Sequence, residues 1–205
     1  MKEYIAKKVS SEMLVNDSRW EDVPEMQLDY VWPEHYPSPY KTTAKLVHSD
    51  SGITVRMTTN EWPLTITAMR LNEAVCIDSC MEFFFTPNLV DENYINLEMN
   101  PVGTALVGFG PGRGSRCRLD IKSGGCAIET LIKPEEGWTL MAYIPYSFLK
   151  EHFSCCDKKI KANFYKCGDR TVAKHYSAWN AVGTPAPDYH RPEYFAEITL
   201  SDEEV

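Results

Sequence analysis

The stretch TTAKLVHSDSGITVRMTT, residues 42–59, decides the fold of this chain. On either side of Ser51-Gly52 the residues fall into two alternating sets, with Ala44 and Leu46 in one set before the turn and Ile53 and Val55 in one set after it. Side chains two positions apart lie on the same face of a β-strand. The stretch therefore predicts two strands joined by a turn.

The same two-residue period recurs through the rest of the chain. Residues 74–86 are predicted to form a central strand buried on both faces, and residues 138–144 a strand that Pro145 ends. Alternation over 117–121, a turn at Gly124-Gly125 and a second run at 126–132 predict a hairpin. Helical periodicity is confined to residues 146–153, which are long enough for two turns.

Strands separated by glycine and proline are typical of an all-β fold. The 11 Gly and 13 Pro residues lie at roughly even spacing along the chain. We predict one domain over residues 1–205, a two-sheet antiparallel β-sandwich of the jelly-roll or immunoglobulin-like kind. The first forty residues lack this regularity, and we expect them to wrap the outside of the sandwich, with Trp20 and Trp32 as structural anchors.

Composition excludes several classes of function. A formal net charge of −8 argues against nucleic-acid binding, which requires a basic surface. No apolar run approaches the length of a membrane span, and the basic N-terminus is not followed by the apolar segment of a secretory signal. We therefore expect a cytoplasmic protein with reduced thiols.

The seven cysteines do not show the paired spacing of a zinc motif. Whether the chain binds a metal stays open at this point. Cys76 and Cys80 are expected to behave as small apolar residues within a strand. A redox role for the adjacent pair Cys155-Cys156 also stays open.

The strand YINLEMN, residues 94–100, separates into an apolar and a polar face. Ile95, Leu97 and Met99 are expected in the core, which places Asn96 and Glu98 together on the opposite face, along with Tyr94 and Asn100. Polar groups about 7 Å apart along a strand span one or two sugar rings. The alternative is an ordinary solvated sheet face, although Asn is uncommon in strands.

A second mixture of rings and planar hydrogen-bonding groups occupies residues 162–195. An aromatic ring covers the C–H face of a pyranose while amides, carboxylates and guanidinium groups bind its hydroxyls. The alternative is that these rings form part of the sandwich core. The predicted ligand-binding residues are Glu82, Asn96, Glu98, Tyr165, Trp179, Tyr189, His190 and Arg191.

Two further kinds of chemistry are weaker candidates. Asp78 and Glu82 are four residues apart on one predicted strand, so both could face a scissile glycosidic bond as acid and base. Asp91, Glu92 and Asp188 could supply oxygen ligands to calcium. The run GFGPGRG, residues 108–114, lacks the Lys-Ser/Thr ending of a phosphate loop and is interpreted as a turn.

The order of several motifs resembles the family 9 carbohydrate-binding modules, and more closely their single-domain bacterial relatives. The matching segments, which together cover about residues 17–200, are the Trp20 region, TAKLVH at 43–48, IDSCMEFF at 77–84, YINLEMNPVG at 94–103, the 138–145 strand, ANFYKCGD at 162–169, SAW at 177–179 and YHRPEYF at 189–195.

This resemblance implies a jelly-roll-like sandwich that binds sugars, at chain ends in classical members, with structural calcium in many of them. Those members clamp the sugar between two Trp residues, assisted by a carboxylate and an Arg. The carboxylate corresponds to Glu82, the first Trp falls near Val75, the Arg near Glu98, and the second Trp near Tyr189 or His190. Trp179 corresponds to a family Trp outside the clamp.

The sequence thus predicts a non-catalytic domain that holds a saccharide or glycoconjugate by aromatic stacking and hydrogen bonds. Two alternatives stay open. One is hydrolysis of O-glycosyl bonds, and the other is a protein-interaction sandwich that has lost its sugar ligand.

Overall fold

A computed structural model describes residues 2–205, and its regular secondary structure is mostly β-strand. The thirteen strands are β1 (Glu3–Lys8), β2 (Met26–Gln27), β3 (Thr42–His48), β4 (Gly52–Thr59), β5 (Cys80–Thr86), β6 (Tyr94–Met99), β7 (Ala105–Gly110), β8 (Cys117–Arg118), β9 (Ala127–Lys133), β10 (Gly137–Pro145), β11 (Lys159–Gly168), β12 (His175–Ala178) and β13 (Ala196–Glu204). One helix, α1 (Tyr146–Lys150), follows Pro145 inside the segment predicted to be helical. The all-β prediction is confirmed.

The strands form one continuous hydrogen-bonded path rather than two separate sheets. The order along the path is β8-β7-β6-β5-β11-β13-β1-β3-β4-β10-β9, with β12 on β11 and β2 on β3. The two ends of this path nevertheless pack face to face, since Phe85 and Ile95 line the same interior hollow as Ala142 and Ile144. The sheet therefore curls into a sandwich-like shape, and the predicted division into two sheets is not what the hydrogen bonding gives.

The position of the N-terminal strand β1 contradicts two predictions. These are the outer wrap formed by the first forty residues and the wholly antiparallel topology. Residues 3–8 lie in the middle of the path, parallel to both β13 and β3. Tyr4 and Ala6 are buried while their neighbours point outward, which is the pattern of a strand with one covered face. Parallel pairing joins strands far apart in sequence, so a local pattern does not reveal it.

The remainder of the N-terminal segment does cover the sheet, and both of its tryptophans are structural as predicted. Trp20 is 2% exposed and packs with Val47 and Met141 on an outer face. Trp32 is 3% exposed and its ring lies 6.0 Å from that of Tyr189.

The main core lies between the two ends of the curled sheet. It contains the set Ile95, Leu97 and Met99, as predicted, together with one of the alternating sets of β3 and β4, including Leu46 and Val55. The predicted hairpin between residues 117–121 and 126–132 is wrong, because β8 pairs with β7 whereas β9 pairs with β10. No helix within residues 2–205 has the length and apolar character needed to cross a bilayer.

A second cluster covers the opposite face of β5, β6 and β11. Phe84, Tyr94 and Tyr165 project from the strands, and Trp32 and Tyr189 pack over them from loops. β5 is buried along its whole length because both of its faces are covered, as predicted for a central strand. A 3-10 turn at Val75–Ile77 precedes it, so the strand begins later than predicted.

Candidate functional site

A cleft of about 180 Å³ opens on the outer face of β5, β6 and β11. One wall is formed by the segment from β7 to β8, and the other by β12 and the loop of residues 179–191 that follows it. The lining residues are Cys76, Glu82, Glu98, Leu106, Arg113, Arg116, Arg118, Cys167, Asp169, Tyr176, Pro187, Tyr189 and His190.

Strand register places two carboxylates side by side on the floor. Glu82 of β5 pairs directly with Glu98 of β6, and Tyr165 and Leu106 continue the row on the outer strands. Residues directly opposite in an antiparallel pair have their side chains on the same face, about 5 Å apart at Cβ. The register of the sheet therefore brings Glu82 and Glu98 together.

Asn96, in the next row of the sheet, positions Arg116. Asn96 of β6 lies opposite Gly108 of β7, is fully buried, and donates to Oε1 of Glu98 at 2.9 Å. Arg116 donates to Oδ1 of Asn96 across the space above Gly108. A Cβ at position 108 would lie 2.4 Å from that oxygen, so glycine there leaves room for the contact.

Three arginines, Arg113, Arg116 and Arg118, make the β7–β8 wall cationic. Arg113 forms an ion pair with Asp188 at 3.0 Å. Within residues 2–205, Arg116 and Arg118 have no carboxylate within ion-pair distance. Sequence reasoning missed all three, although three arginines within six positions of an acidic chain were a usable signal.

Burial favours the protonated forms of the two carboxyl groups on the floor, Glu82 and Glu98. Desolvation, followed by repulsion from Glu98, raises the pKa of Glu82 well above its ordinary value. Desolvation also raises the pKa of Glu98 to about 7, even though Arg116 and Arg118 favour its carboxylate form. The floor can therefore both donate hydrogen bonds to a ligand hydroxyl and accept them.

Aromatic rings form the opposite wall. Tyr189 is 7% exposed because its ring stacks on Tyr165 at 4.1 Å, and its hydroxyl donates to the backbone oxygen of Lys166. Tyr176 is half-buried and donates from its hydroxyl to Asp169. Among these rings Tyr176 presents the largest accessible surface, whereas Tyr165 is fully buried beneath the wall.

His190 sits beside this wall as a neutral side chain. Its Nδ1 is hydrogen bonded to the hydroxyl of Tyr94 at 2.8 Å. Desolvation, and then repulsion from Arg116 and Arg113, lowers the pKa of His190 to about 3. A neutral imidazole offers one donor and one acceptor nitrogen, so the ring is a polar surface without charge.

The structure separates the eight predicted ligand-binding residues into three groups. Glu82, Glu98, Tyr189 and His190 line the cleft. Asn96 and Tyr165 lie buried beneath it and position its side chains. Trp179 and Arg191 do not line it.

The prediction that Trp179 binds the ligand is wrong, because its ring belongs to the main core on the other side of the sheet. It is 3% exposed and packs edge to face against Tyr4 and Phe164. Arg191 does not line the cleft and pairs with Glu193 at 2.6 Å. The strand β12 ends at Ala178, so strand periodicity does not assign a face to the residue that follows it.

Asp78 is a structural carboxylate rather than part of an acid-base pair with Glu82. It is fully buried and accepts hydrogen bonds from the backbone of Thr67 and Ala68 and from Asn100. It also lies outside β5, in the turn before the strand, so the assumption of a shared strand face was wrong. Its role is to hold the loop of residues 65–68.

The acidic residues proposed for calcium do not converge. Asp91 accepts from Asn88 and Ser154, Asp188 pairs with Arg113, and Glu92 is exposed. Among residues 2–205, the cluster of three or more metal-ligating side chains is a different one, Cys80, Glu82 and Cys167. All seven cysteines are free thiols, including Cys155 and Cys156.

Two larger surface hollows lack this convergence. The hollow beside Lys8 and His48 is about 260 Å³, and that beside Met69 and Val102 is about 290 Å³. Neither contains an arginine, a buried carboxyl or a residue from the predicted set. The cleft over β5, β6 and β11 is therefore the best candidate.

Comparisons with solved structures agree with this fold. A proposed carbohydrate-binding protein from Bacteroides uniformis is 25% identical and superimposes with a TM-score of 0.85 over 98% of this chain and 99% of that one. A family 9 carbohydrate-binding module from Caldicellulosiruptor kristjanssonii in complex with cellotriose is 14% identical, with a TM-score of 0.70 over 98% and 95% of the two chains. The same organism's family 9 module in complex with glucose, also 14% identical, gives a TM-score of 0.68 over 98% and 97%.

No curated protein matches the chain. The sequence profile that describes carbohydrate-binding family 9 matches residues 12–200, which is nearly the whole length. The early Trp20 region and the final YHRPEYF segment both lie within that match. The chain belongs to carbohydrate-binding family 9.

Proposed function

We propose that this protein binds a saccharide, without transforming it, in the cleft over β5, β6 and β11. The observation that carries the proposal is the convergence of Glu98, Arg116 and the Tyr176 ring on one hollow, within a chain of a carbohydrate-binding family. Glu98 and Arg116 would orient the ligand hydroxyls, and Tyr176 would cover a C–H face.

The size of the cleft favours a single sugar ring. Its volume of about 180 Å³ lies below the roughly 300–1,000 Å³ of sites for drug-sized ligands. One ring held this way would be a monosaccharide or the end of a longer chain. Affinity is expected in the micromolar-to-millimolar range, because each hydroxyl exchanges water for protein at little net gain.

The cationic wall favours a saccharide that carries acidic groups. Among residues 2–205, neither Arg116 nor Arg118 has a paired carboxylate, and both lie on the rim of the cleft in a protein whose net charge is −8. A uronate carboxylate or a sulfate would match the guanidinium fork. The two Caldicellulosiruptor modules bind glucose and cellotriose, which are neutral, so neutral sugars belong in the same test.

The test is isothermal titration calorimetry against a panel containing glucose, cellotriose, glucuronate and galacturonate. At least one is expected to bind, and Arg116→Ala should weaken binding by about 10- to 100-fold, the value of a hydrogen bond to a charged group. The matched control is Arg70→Ala, because Arg70 is exposed and lies outside the cleft. A panel without any binding, or equal affinities for Arg116→Ala and wild type, would overturn the proposal.

Hydrolysis of a glycoside is the second candidate, favoured by the adjacent carboxyls of Glu82 and Glu98. Against it, burial raises the pKa of both groups, whereas a retaining glycosidase requires one carboxylate that stays ionised. We expect no turnover of chromogenic glycosides. Turnover that disappears in Glu98→Gln would establish the hydrolase instead.

A further inference from the structure

Two thiols and one carboxyl meet at the floor of the cleft. Cys80 of β5 lies directly opposite Cys167 of β11 in the strand register. Glu82 is two residues beyond Cys80 on the same strand, so it shares the face on which both thiols stand. All three side chains are buried, at 0%, 3% and 3% exposure for Cys80, Glu82 and Cys167.

The spacing of the three ligand atoms is that of a metal-binding group. Oε1 of Glu82 lies 2.9 Å from Sγ of Cys167 and 3.9 Å from Sγ of Cys80, and all three atoms are within 4.8 Å of one another. Bond lengths of about 2.3 Å to sulfur and about 2.1 Å to oxygen in a tetrahedron give ligand separations of roughly 3.6–3.8 Å. Small rotations of the side chains would bring both distances to that value.

We propose that Cys80, Cys167 and Glu82 bind a zinc ion, with the fourth coordination position open to the cleft. Zinc accepts thiolate sulfur and carboxylate oxygen together, and sites with three protein ligands keep one position for water or a ligand atom. Glu82 and Cys167 line the cleft, which gives the ion a path from solvent.

The electrostatic surroundings favour a cation at this point. Glu98 lies beside Glu82 on the floor, and Asp169 lines the same cleft. A divalent cation would offset the cost of burying these carboxyl groups. Each thiol releases its proton to water when its sulfur binds the ion, so affinity should rise with pH.

The arrangement also explains why the sequence shows no zinc motif. Short motifs such as paired CxxC supply ligands from one turn or hairpin. Here the ligands come from neighbouring strands of the sheet, with Cys80 and Glu82 separated by one residue and Cys167 far along the chain.

The experiment uses the full chain purified in reducing, metal-free buffer and titrated with Co²⁺ as a spectroscopic substitute for zinc. We expect one equivalent to bind, with thiolate-to-cobalt charge-transfer absorption and the strong visible bands of a tetrahedral site. Competition with Zn²⁺ should remove those bands. Cys167→Ser should lower the charge-transfer absorption by about half, because one of two thiolate ligands is lost, or weaken binding at least 100-fold.

The matched control is Cys117→Ser, because the Cys117 thiol is exposed on β8 and is not part of the cluster. It should bind cobalt as wild type does. If Cys80→Ser and Cys167→Ser are both folded by circular dichroism and keep the wild-type spectrum, the site is not the one proposed. Absence of binding at micromolar metal also overturns it, and neither result bears on saccharide binding, because no sugar is present.

Discussion

The pair Lys166–Glu61 offers the sharpest test of how the sheet beneath the cleft is held together. Both side chains are completely buried, and Nζ of Lys166 lies 2.8 Å from Oε2 of Glu61. The other ammonium contacts are the backbone oxygen of Cys167 and Nε2 of His175, each at 2.8 Å. Glu61 in turn accepts from Ser79 and Trp138. Every donor of the ammonium group therefore has an acceptor.

Replacing Lys166 by Met removes the cation and leaves the Glu61 carboxylate buried. Breaking a buried, hydrogen-bonded ion pair by removing one partner costs about 3–5 kcal/mol. The loss is a large part of a typical free energy of unfolding of about 5–15 kcal/mol. With an m-value of about 2–3 kcal/mol/M, the urea midpoint should fall by about 1–2.5 M.

The assay is urea denaturation at neutral pH followed by tryptophan fluorescence, which reports on Trp138 beside the pair. The matched control is Lys159→Met on the same strand, because Lys159 is 54% exposed and pairs with Glu197 at the surface. That variant should lose less than about 1 kcal/mol. The double variant Lys166→Met/Glu61→Gln should be more stable than Lys166→Met alone, since it removes the uncompensated charge. Equal losses for Lys166→Met and Lys159→Met would refute the reasoning.

Three further predictions concern the cleft and the core. Gly108→Ala should weaken saccharide binding at least tenfold in calorimetry. The reason is that the added Cβ would lie 2.4 Å from Oδ1 of Asn96 and displace Arg116. Unchanged affinity would show that the contact between Arg116 and Asn96 does not shape the site. Trp179→Phe should lower the free energy of unfolding by about 1–3 kcal/mol and keep the wild-type saccharide affinity, because the Trp179 ring lies in the core. A loss of affinity without a loss of stability would show that Trp179 contacts the saccharide. Burial lowers the pKa of His175 to about 4, so below about pH 6.5 the unfolded chain binds a proton at this histidine that the folded chain does not, and the contribution of His175 to stability falls as the pH drops. The raised pKa values of Glu82 and Glu98 act in the opposite direction over the same interval, so the test compares wild type with His175→Gln at pH 7.5 and 5.5. The change in unfolding free energy between the two pH values should be more favourable by roughly 1 kcal/mol in the variant, and an equal change in both proteins would contradict the prediction.

The sequence predicted those parts of the site that follow from strand periodicity. Residues 94–99 do separate into the core set Ile95, Leu97 and Met99 and the opposite set that includes Asn96 and Glu98. A two-residue period assigns the face of a side chain, and the register then places Glu98 beside Glu82.

The rest depends on contacts between distant parts of the chain. The central position of residues 3–8 arises from parallel pairing with β13, and the separation of β8 from β9 from pairing with other strands. The arginine wall is a loop brought over the sheet by tertiary packing, so a local pattern identified it as a turn without indicating where its side chains lie. The prediction that Trp179 binds the ligand was wrong for a related reason, because strand periodicity stops one residue before it.

The most direct test of the central claim is a titration of isotope-labelled protein with the best-binding saccharide, followed through backbone amide chemical shifts. Saccharide binding at this cleft predicts that the largest shifts occur at Glu98, Leu106, Arg116 and His190, and that in Arg116→Ala the shifts require a saccharide concentration about 10- to 100-fold higher. Shifts concentrated around Lys8 and His48, or spectra that do not change at saturating saccharide, would contradict it.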